Sequence, residues 1–280
     1  MIHWFPGHMH KATKELIKLM PQINIAIEVV DARAPEASTN PVLHEVARTK
    51  PIIKILSKAD LSDPEVTKQW LHFYNGKAIA LDISHNKKSA QKIISLCKKQ
   101  IPNRGTILKP IRAVIFGIPN VGKSTLINSL AKRKIAQTGN EPAITKNQQK
   151  IIIEKNFYLS DTPGIMFPSP KDEGCGFKLA AIGSIRDTSM DYLTTAYFML
   201  QLLKEYYPSM LNSRYRISED SEDLEKILLA VGQTLGQQHM HHIAEKVIQD
   251  FRQGRTGKIS LETPENYLKY QMSKDITDNI

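Results

Sequence analysis

Apolar residues in the first 170 positions form short runs that are separated by amphipathic segments. Several runs are nearly continuous in Ile and Val, which is typical of parallel strands covered on both faces. The pattern predicts strands at 23–30, 51–56, 78–81, 111–116, 150–153 and 157–159. Helical spacing lies between them, near 11–19, 39–49, 64–74, 88–100 and 123–132. This alternation predicts a three-layer α/β sandwich.

The pattern changes at a stretch rich in Pro and Gly, residues 166–176. Beyond it the chain is mostly helical, with apolar residues at spacings of three and four in 191–206, 222–235 and 241–251. We therefore predict an α/β domain at 1–176 and a small all-α domain at 177–280, with a boundary uncertain by a few residues.

The composition indicates in which cellular compartment the protein is expected. No stretch approaches the roughly 20 apolar residues that span a bilayer, and the first residues lack the basic-then-apolar pattern of a secretory signal. Cys97 and Cys175 form no metal or disulfide pattern, which fits a reducing cytoplasm.

The net charge of +10 is unevenly distributed. Residues 1–170 carry 25 Lys/Arg against 12 Asp/Glu, whereas 171–280 carry 13 against 16. A basic first part favours a polyanion such as nucleic acid, and a solvated lysine-rich surface is the equally acceptable alternative.

The clearest motif is a phosphate loop, Gly117-Ile-Pro-Asn-Val-Gly-Lys-Ser-Thr125, between a predicted strand and a predicted helix. In such a loop, glycines let consecutive N–H groups point at phosphates. Asn120, Val121, Gly122 and Thr125 would line the phosphates, Lys123 would reach the outer ones, and Ser124 would bind Mg²⁺. We expect the Lys123 side chain to be solvated when no ligand is bound.

Asp161-Thr-Pro-Gly164 follows at a strand end. Asp161 would approach Mg²⁺ through water, and the Gly164 N–H would contact the terminal phosphate. Thr145, in the segment between the two motifs, supplies a hydroxyl where a second Mg²⁺ contact is needed, although an ordinary turn residue is the better explanation of this threonine taken alone.

Base recognition is predicted upstream, at Ser57-Lys58-Ala59-Asp60 after a buried strand. A carboxylate at Asp60 can accept from the ring N–H and the amino group of guanine, a donor pair that adenine lacks. The Lys58 stem would lie along the base. The next strand end, with Ile83 and Ser84, would offer N–H groups to the guanine carbonyl. The alternative for Asp60 is a helix cap.

The base segment precedes the phosphate loop, which is the reverse of the usual order. This order, together with Trp4-Phe-Pro-Gly-His-Met9 and Val30-Asp-Ala-Arg-Ala-Pro35, resembles the bacterial ribosome-biogenesis GTPase A family of circularly permuted P-loop GTPases. The resemblance covers the whole chain and is strongest over 1–170. It implies a GTP-hydrolysing factor, slow alone, that acts in late maturation of the large ribosomal subunit, with a C-terminal domain that binds RNA.

The resemblance also implies residue roles. The position after Gly164 is Ile165, which cannot orient water, so the family points to His8 as the catalytic residue. Asn120 resembles the asparagine that holds potassium in potassium-stimulated GTPases, and a loop-stabilising asparagine is the alternative. Ser57 departs from the usual Asn or Thr and weakens the expectation of tight guanine binding.

Two other functions remain open from the sequence. A P-loop ATPase or kinase is disfavoured by Lys58-Ala-Asp60. A nucleotide-gated RNA- or ribosome-binding module with little intrinsic hydrolysis is motivated by Ile165.

Overall fold

The computed structural model describes residues 7–82, 89–131, 149–217 and 223–277 of the 280-residue chain. In those ranges the strands are β1 Ile25–Asp31, β2 Ile52–Ser57, β3 Ala78–Leu81, β4 Ile111–Phe116, β5 Gln149–Glu154 and β6 Phe157–Asp161. The helices are α1 Gly7–Leu19, α2 Pro41–Ala47, α3 Pro64–Phe73, α4 Ser89–Gln100, α5 Lys123–Ala131, α6 Glu173–Ala181, α7 Tyr192–Tyr206, α8 Pro208–Tyr215, α9 Leu224–Leu235, α10 Met240–Arg252 and α11 Pro264–Thr277.

The strands form one sheet in the order β3-β2-β1-β4-β6-β5. The first five of these are parallel, and β5 pairs antiparallel with β6 at the edge. Alternate residues enter two apolar clusters: Ile27 and Ile53 join the main core, while Val30 and Leu56 pack with Trp70 of α3. The three-layer arrangement predicted from alternating strands and helices is therefore confirmed, and the parallel strand ends place the motif loops at one edge.

Helix boundaries follow the local sequence. In the described part of the chain, five helices begin after an Asn or Asp whose side-chain oxygen accepts backbone N–H groups of the first turn: Asn40, Asp63, Asp172, Asp191 and Asp223. Such caps satisfy donors that have no partner inside the helix.

The helices after residue 172 form a bundle in which α10 packs against both α7 and α9. The bundle shares the main core with the sheet. The last helix, α11, leaves the bundle and returns to α3, where the Tyr267 ring lies 6.1 Å from that of Trp70. The domain division at 176/177 stays a prediction. No helix in the described part of the chain is long and apolar enough to cross a membrane.

Candidate nucleotide-binding site

The phosphate loop lies between β4 and α5, as the sequence predicts. Gly117 is required by close packing, because an added Cβ would lie 2.5 Å from the Val29 carbonyl oxygen. Asn120 and Gly122 both have left-handed backbones, with φ of +62° and +89°. The loop therefore curls towards the first turn of α5, where Ser124 is half-buried and Thr125 is exposed.

The expectation of a solvated Lys123 is wrong. Its side chain is only 6% exposed, and its Nζ lies 3.5 Å from Asp161 Oδ1, because β6 runs beside β4 and ends next to the loop. Burial lowers the pKa of Lys123 and raises that of Asp161, and their mutual attraction opposes both shifts. Asp161 Oδ1 makes no hydrogen bond within the described residues.

The segment after Asp161 is pressed against the phosphate loop. Thr162 donates to the Ile115 carbonyl at 2.9 Å, and the Ile165 N–H donates to the Gly117 carbonyl at 3.2 Å. An added Cβ on Gly164 would lie 3.2 Å from Pro119 Cα. Movement of the segment from Thr162 to Ile165 should therefore also displace the phosphate loop that it contacts.

The base segment also reaches the phosphate loop. Ser57 ends β2 fully buried, and its hydroxyl lies within hydrogen-bond distance of two carbonyls, that of Val30 at 2.9 Å and that of Val121. The two loops are thus joined in space although 64 residues separate Ser57 from Val121. A serine is long enough to make this connection. The strength of guanine binding, on which the departure from Asn or Thr bears, stays a prediction.

Lys58 and Asp60 lie on the turn that follows. Lys58 has a left-handed backbone with φ of +54°, and its Nζ lies 2.9 Å from Asp31 Oδ2. The Ala59 N–H donates to the Leu81 carbonyl at 3.3 Å, which ties this turn to the end of β3. Asp60 is half-buried and has no polar side-chain partner among the described residues. Its carboxylate is available to a ligand.

Sequence reasoning missed the role of Asp31. Arg33 binds it through two bonds, Nε to Oδ1 at 2.9 Å and Nη2 to Oδ2 at 2.8 Å, and both residues are buried. Burial alone would raise the pKa of Asp31, but the charges of Arg33 and Lys58 outweigh it and hold that pKa well below its usual range. The signal was present in the Asp-Ala-Arg sequence, which served only as a family marker.

The helical bundle contacts the same turn. The Arg33 guanidinium lies 4.6 Å from the centre of the Phe251 ring at the end of α10. Beyond α10, an added Cβ on Gly254 would lie 2.8 Å from Leu61 Cδ2, and the Ile259 N–H donates to the Leu61 carbonyl at 3.2 Å. These contacts were not foreseen, because they join positions about 200 residues apart.

Some predicted site residues lie outside the described residues. These are Ile83, Ser84 and Thr145. His8 falls in α1 by its backbone, but its side chain is not described. Their roles stay predictions.

The sheet and the joined loops define a P-loop GTPase whose motif order is circularly permuted. Residues 112–235, which begin at the strand before the phosphate loop, match the family model described as "50S ribosome-binding GTPase". The chain is 38% identical over 283 residues to a ribosome biogenesis GTPase A of Bacillus cereus, with 95% of each chain covered. It belongs to the ribosome biogenesis GTPase A family.

Two further comparisons agree. A ribosome biogenesis GTPase A of Thermotoga maritima is 29% identical over 279 residues, covering 97% of this chain and 98% of that one. The crystal structure of GNP-bound YlqF from T. maritima superposes with a TM-score of 0.64 at 24% identity, over 91% of this chain and 99% of the other, and shows the same fold.

Proposed function

We propose that this GTPase binds GTP across the two joined loops, with guanine at Ser57–Asp60 and the phosphates at Asn120–Thr125, while Gly164 contacts the terminal phosphate. The observation that carries the proposal is the hydrogen bond from Ser57 to the Val121 carbonyl. It supports the proposal because it links the turn that carries Asp60 to the loop that we propose for the phosphates. Ile83 and Ser84 complete the base site in this proposal.

A Mg²⁺ ion fits the residues present. Among the described residues, buried Asp161 Oδ1 has no hydrogen-bond partner, and the Lys123 ammonium lies 3.5 Å from it, which suits a carboxylate that meets an ion through water. Ser124 on α5 and Thr145 would supply hydroxyl ligands. The ion would offset the negative charge of the phosphates.

A potassium ion at Asn120 stays a prediction. The side-chain amide of Asn120 donates to the Gly183 carbonyl at 2.7 Å, so this asparagine also supports the loop. This bond joins the phosphate loop to Gly183 in the turn after α6, and not to another residue of the loop.

Hydrolysis needs a residue that positions water. The three residues after Gly164 belong to the core and are at most 2% exposed: Ile165, Met166 and Phe167. None of these apolar side chains can position the attacking water. We infer that His8, at the start of α1, supplies this function when a partner brings it to the terminal phosphate. Slow hydrolysis alone and faster hydrolysis on the partner would follow. The alternative, a nucleotide-gated module with little intrinsic hydrolysis, has the same residue at Ile165 in its favour.

The partner that we propose is the large ribosomal subunit in the cytoplasm. The family name and the description of the matching model support it. Lys11, Lys14 and Lys18 are exposed on one face of α1, where they can meet RNA phosphates, and Ile17 between them is 53% exposed. The helical bundle would add the second RNA contact.

The nucleotide would switch this binding. Loss of the terminal phosphate releases Gly164, and the segment that follows it runs directly into the bundle. Asn40 Nδ2 donates to the Ile165 carbonyl at 2.6 Å, so the released segment is also tied to the loop before α2. GTP-bound protein should therefore bind the subunit tightly and GDP-bound protein weakly.

The test is co-sedimentation with purified large subunits in GDP, GTP and a non-hydrolysable analogue, each at two salt concentrations. We expect retention with the analogue, release with GDP and weaker binding at high salt. Equal binding in all nucleotide states would refute the switch, and competition of labelled GTP by ATP would refute the guanine site.

A further inference from the structure

The phosphate loop is held from outside by the turn between α6 and α7. Ser184 Oγ donates to the Pro119 carbonyl at 2.9 Å, and Asn120 Nδ2 donates to the Gly183 carbonyl at 2.7 Å. Ser184 is 2% exposed and Pro119 is buried, so the first bond is shielded from water. Two successive loop residues are thus bonded to two successive residues of a segment more than 60 positions away.

The loop has a physical need for this support. Asn120 has a backbone φ of +62°, in the left-handed region that costs energy for residues other than glycine, although less for asparagine than for most. Because strained backbone persists only where its surroundings determine it, the bonds at Pro119 and Asn120 stabilise the bend just before the phosphate-binding N–H groups. A Cβ added to Gly164 would lie 3.2 Å from Pro119 Cα, so both the bundle turn and the segment that carries Gly164 lie close to Pro119.

The turn is itself held by Arg252. Arg252 at the end of α10 donates to the last carbonyls of α6, from Nε to Ala181 at 3.1 Å and from Nη2 to Ala180 at 2.8 Å, and it pairs with Asp187 at 3.0 Å. Gly183 has φ of +78°, and an added Cβ there would lie 3.2 Å from Arg252 Nε. Arg252 therefore fixes the turn that carries Ser184.

We propose that Ser184 is a positioning residue for GTP binding and turnover, and that Arg252 acts through it. Its hydroxyl holds the Pro119 carbonyl, so that the phosphate-facing N–H groups keep their geometry before nucleotide arrives. The helical bundle thereby sets nucleotide affinity from within the same chain. This inference rests on the proposed nucleotide site.

The experiment compares Ser184→Ala and Ser184→Cys, which is closer in size, with the matched control Ser189→Ala from the same inter-helix segment. Dissociation constants and off-rates of fluorescent GDP and of a GTP analogue are measured, together with single-turnover hydrolysis and the unfolding temperature without nucleotide. Loss of one buried hydrogen bond should weaken binding by about three- to tenfold, chiefly through a faster off-rate. Ser189→Ala should match the parent.

Arg252→Ala should weaken binding in the same direction, and the Ser184→Ala/Arg252→Ala pair should lose less than the product of the single effects because both act on one turn. A lower unfolding temperature with unchanged nucleotide constants in both Ser184 variants would mean a purely structural role and would overturn the proposal. So would fully multiplicative effects. If the parent itself shows no saturable guanine-nucleotide binding, the nucleotide site fails and this inference fails with it. If the parent binds nucleotide and both Ser184 variants have the same nucleotide constants as the parent, only this inference is refuted.

Discussion

Replacement of Lys123 with methionine, which keeps the aliphatic stem and removes the charge, should destabilise the nucleotide-free protein as well as abolish tight GTP binding. The Lys123 ammonium lies 3.5 Å from Asp161 Oδ1, and both side chains are nearly inaccessible to water. The variant leaves a buried carboxylate that has lost its cation. Structure and function are therefore affected by the same substitution.

The magnitude has two limits. At an effective dielectric constant of about 20, unit charges 3.5 Å apart attract by about 5 kcal/mol. The carboxylate can escape the loss by binding a proton, which from the reference pKa of 3.8 costs about 5 kcal/mol near pH 7.5. Because water entry and relaxation reduce both limits, we expect a loss of about 3 kcal/mol in the free energy of unfolding.

The sign of the pH dependence follows from Asp161. Its folded pKa is raised by burial, so ionised Asp161 costs stability, and this cost appears as the pH rises through that pKa. Without the Lys123 charge, the pKa of Asp161 is raised further. The deficit of Lys123→Met relative to the parent should therefore be largest at neutral pH and shrink as the pH falls and Asp161 becomes neutral.

The assay is urea unfolding without nucleotide, followed by tryptophan fluorescence, for the parent, Lys123→Met, Asp161→Asn and the double variant. The double variant should recover most of the stability lost by Lys123→Met, because no buried charge remains. Parental stability of Lys123→Met at neutral pH, or a deficit that is the same at all pH values, would refute the ion pair as the cause.

Three other changes test the remaining parts of the site. Asp60→Asn should lower GTP affinity by about 1.5–3 kcal/mol, since a charge-assisted pair to guanine is lost, and should admit xanthosine nucleotides; unchanged GTP titrations would remove the guanine assignment. His8→Ala should leave GTP affinity unchanged and slow subunit-stimulated hydrolysis, and equal stimulated rates would exclude His8 from the mechanism. Asp31→Asn should lose about 3 kcal/mol of stability at neutral pH by leaving Arg33 buried without its carboxylate. Because the folded pKa of Asp31 is depressed, that deficit should fade in urea unfolding as the pH falls, and a deficit that persists in acid would contradict it.

The sheet and most of its helices were predictable because their signals are local. Continuous Ile and Val runs identified β1, β2 and β4, and the glycine spacing identified the loop before α5. The antiparallel direction of β5 was not predicted, since strand direction depends on the connection and not on residue periodicity. The helices α6, α8 and α11 also went without individual prediction, and α11 lacks a clear apolar stripe.

The site divides in the same way. Residue types and spacing were sufficient to propose Asp60, Lys123 and Asp161. They could not show that Lys123 is buried, because its environment is made by the neighbouring strand β6. Nor could they show the role of Ser184, since its partner Pro119 is distant in sequence. The Asp31–Arg33 pair is local in sequence, but its spacing alone did not show that both residues are buried.

The return of the chain from α10 to α3 has a consequence for how the protein is made. The Leu61 and Arg33 carbonyls accept backbone N–H bonds from Ile259 and Leu261, and the Trp70 indole N–H donates to the Glu262 carbonyl. A translating ribosome adds these partners about 200 codons later. Domains generally fold in order of synthesis, so the nascent sheet can form while the turn that carries Lys58 and Asp60 still lacks its contacts with residues 259–262. A nascent chain that stalls before residue 259 should therefore leave that turn accessible to protease. A longer nascent chain, in which residue 262 has already left the exit tunnel, should protect the turn. The turn proposed to bind guanine would therefore be completed only after residues 259–262 have been synthesised, about 200 codons after its own motif.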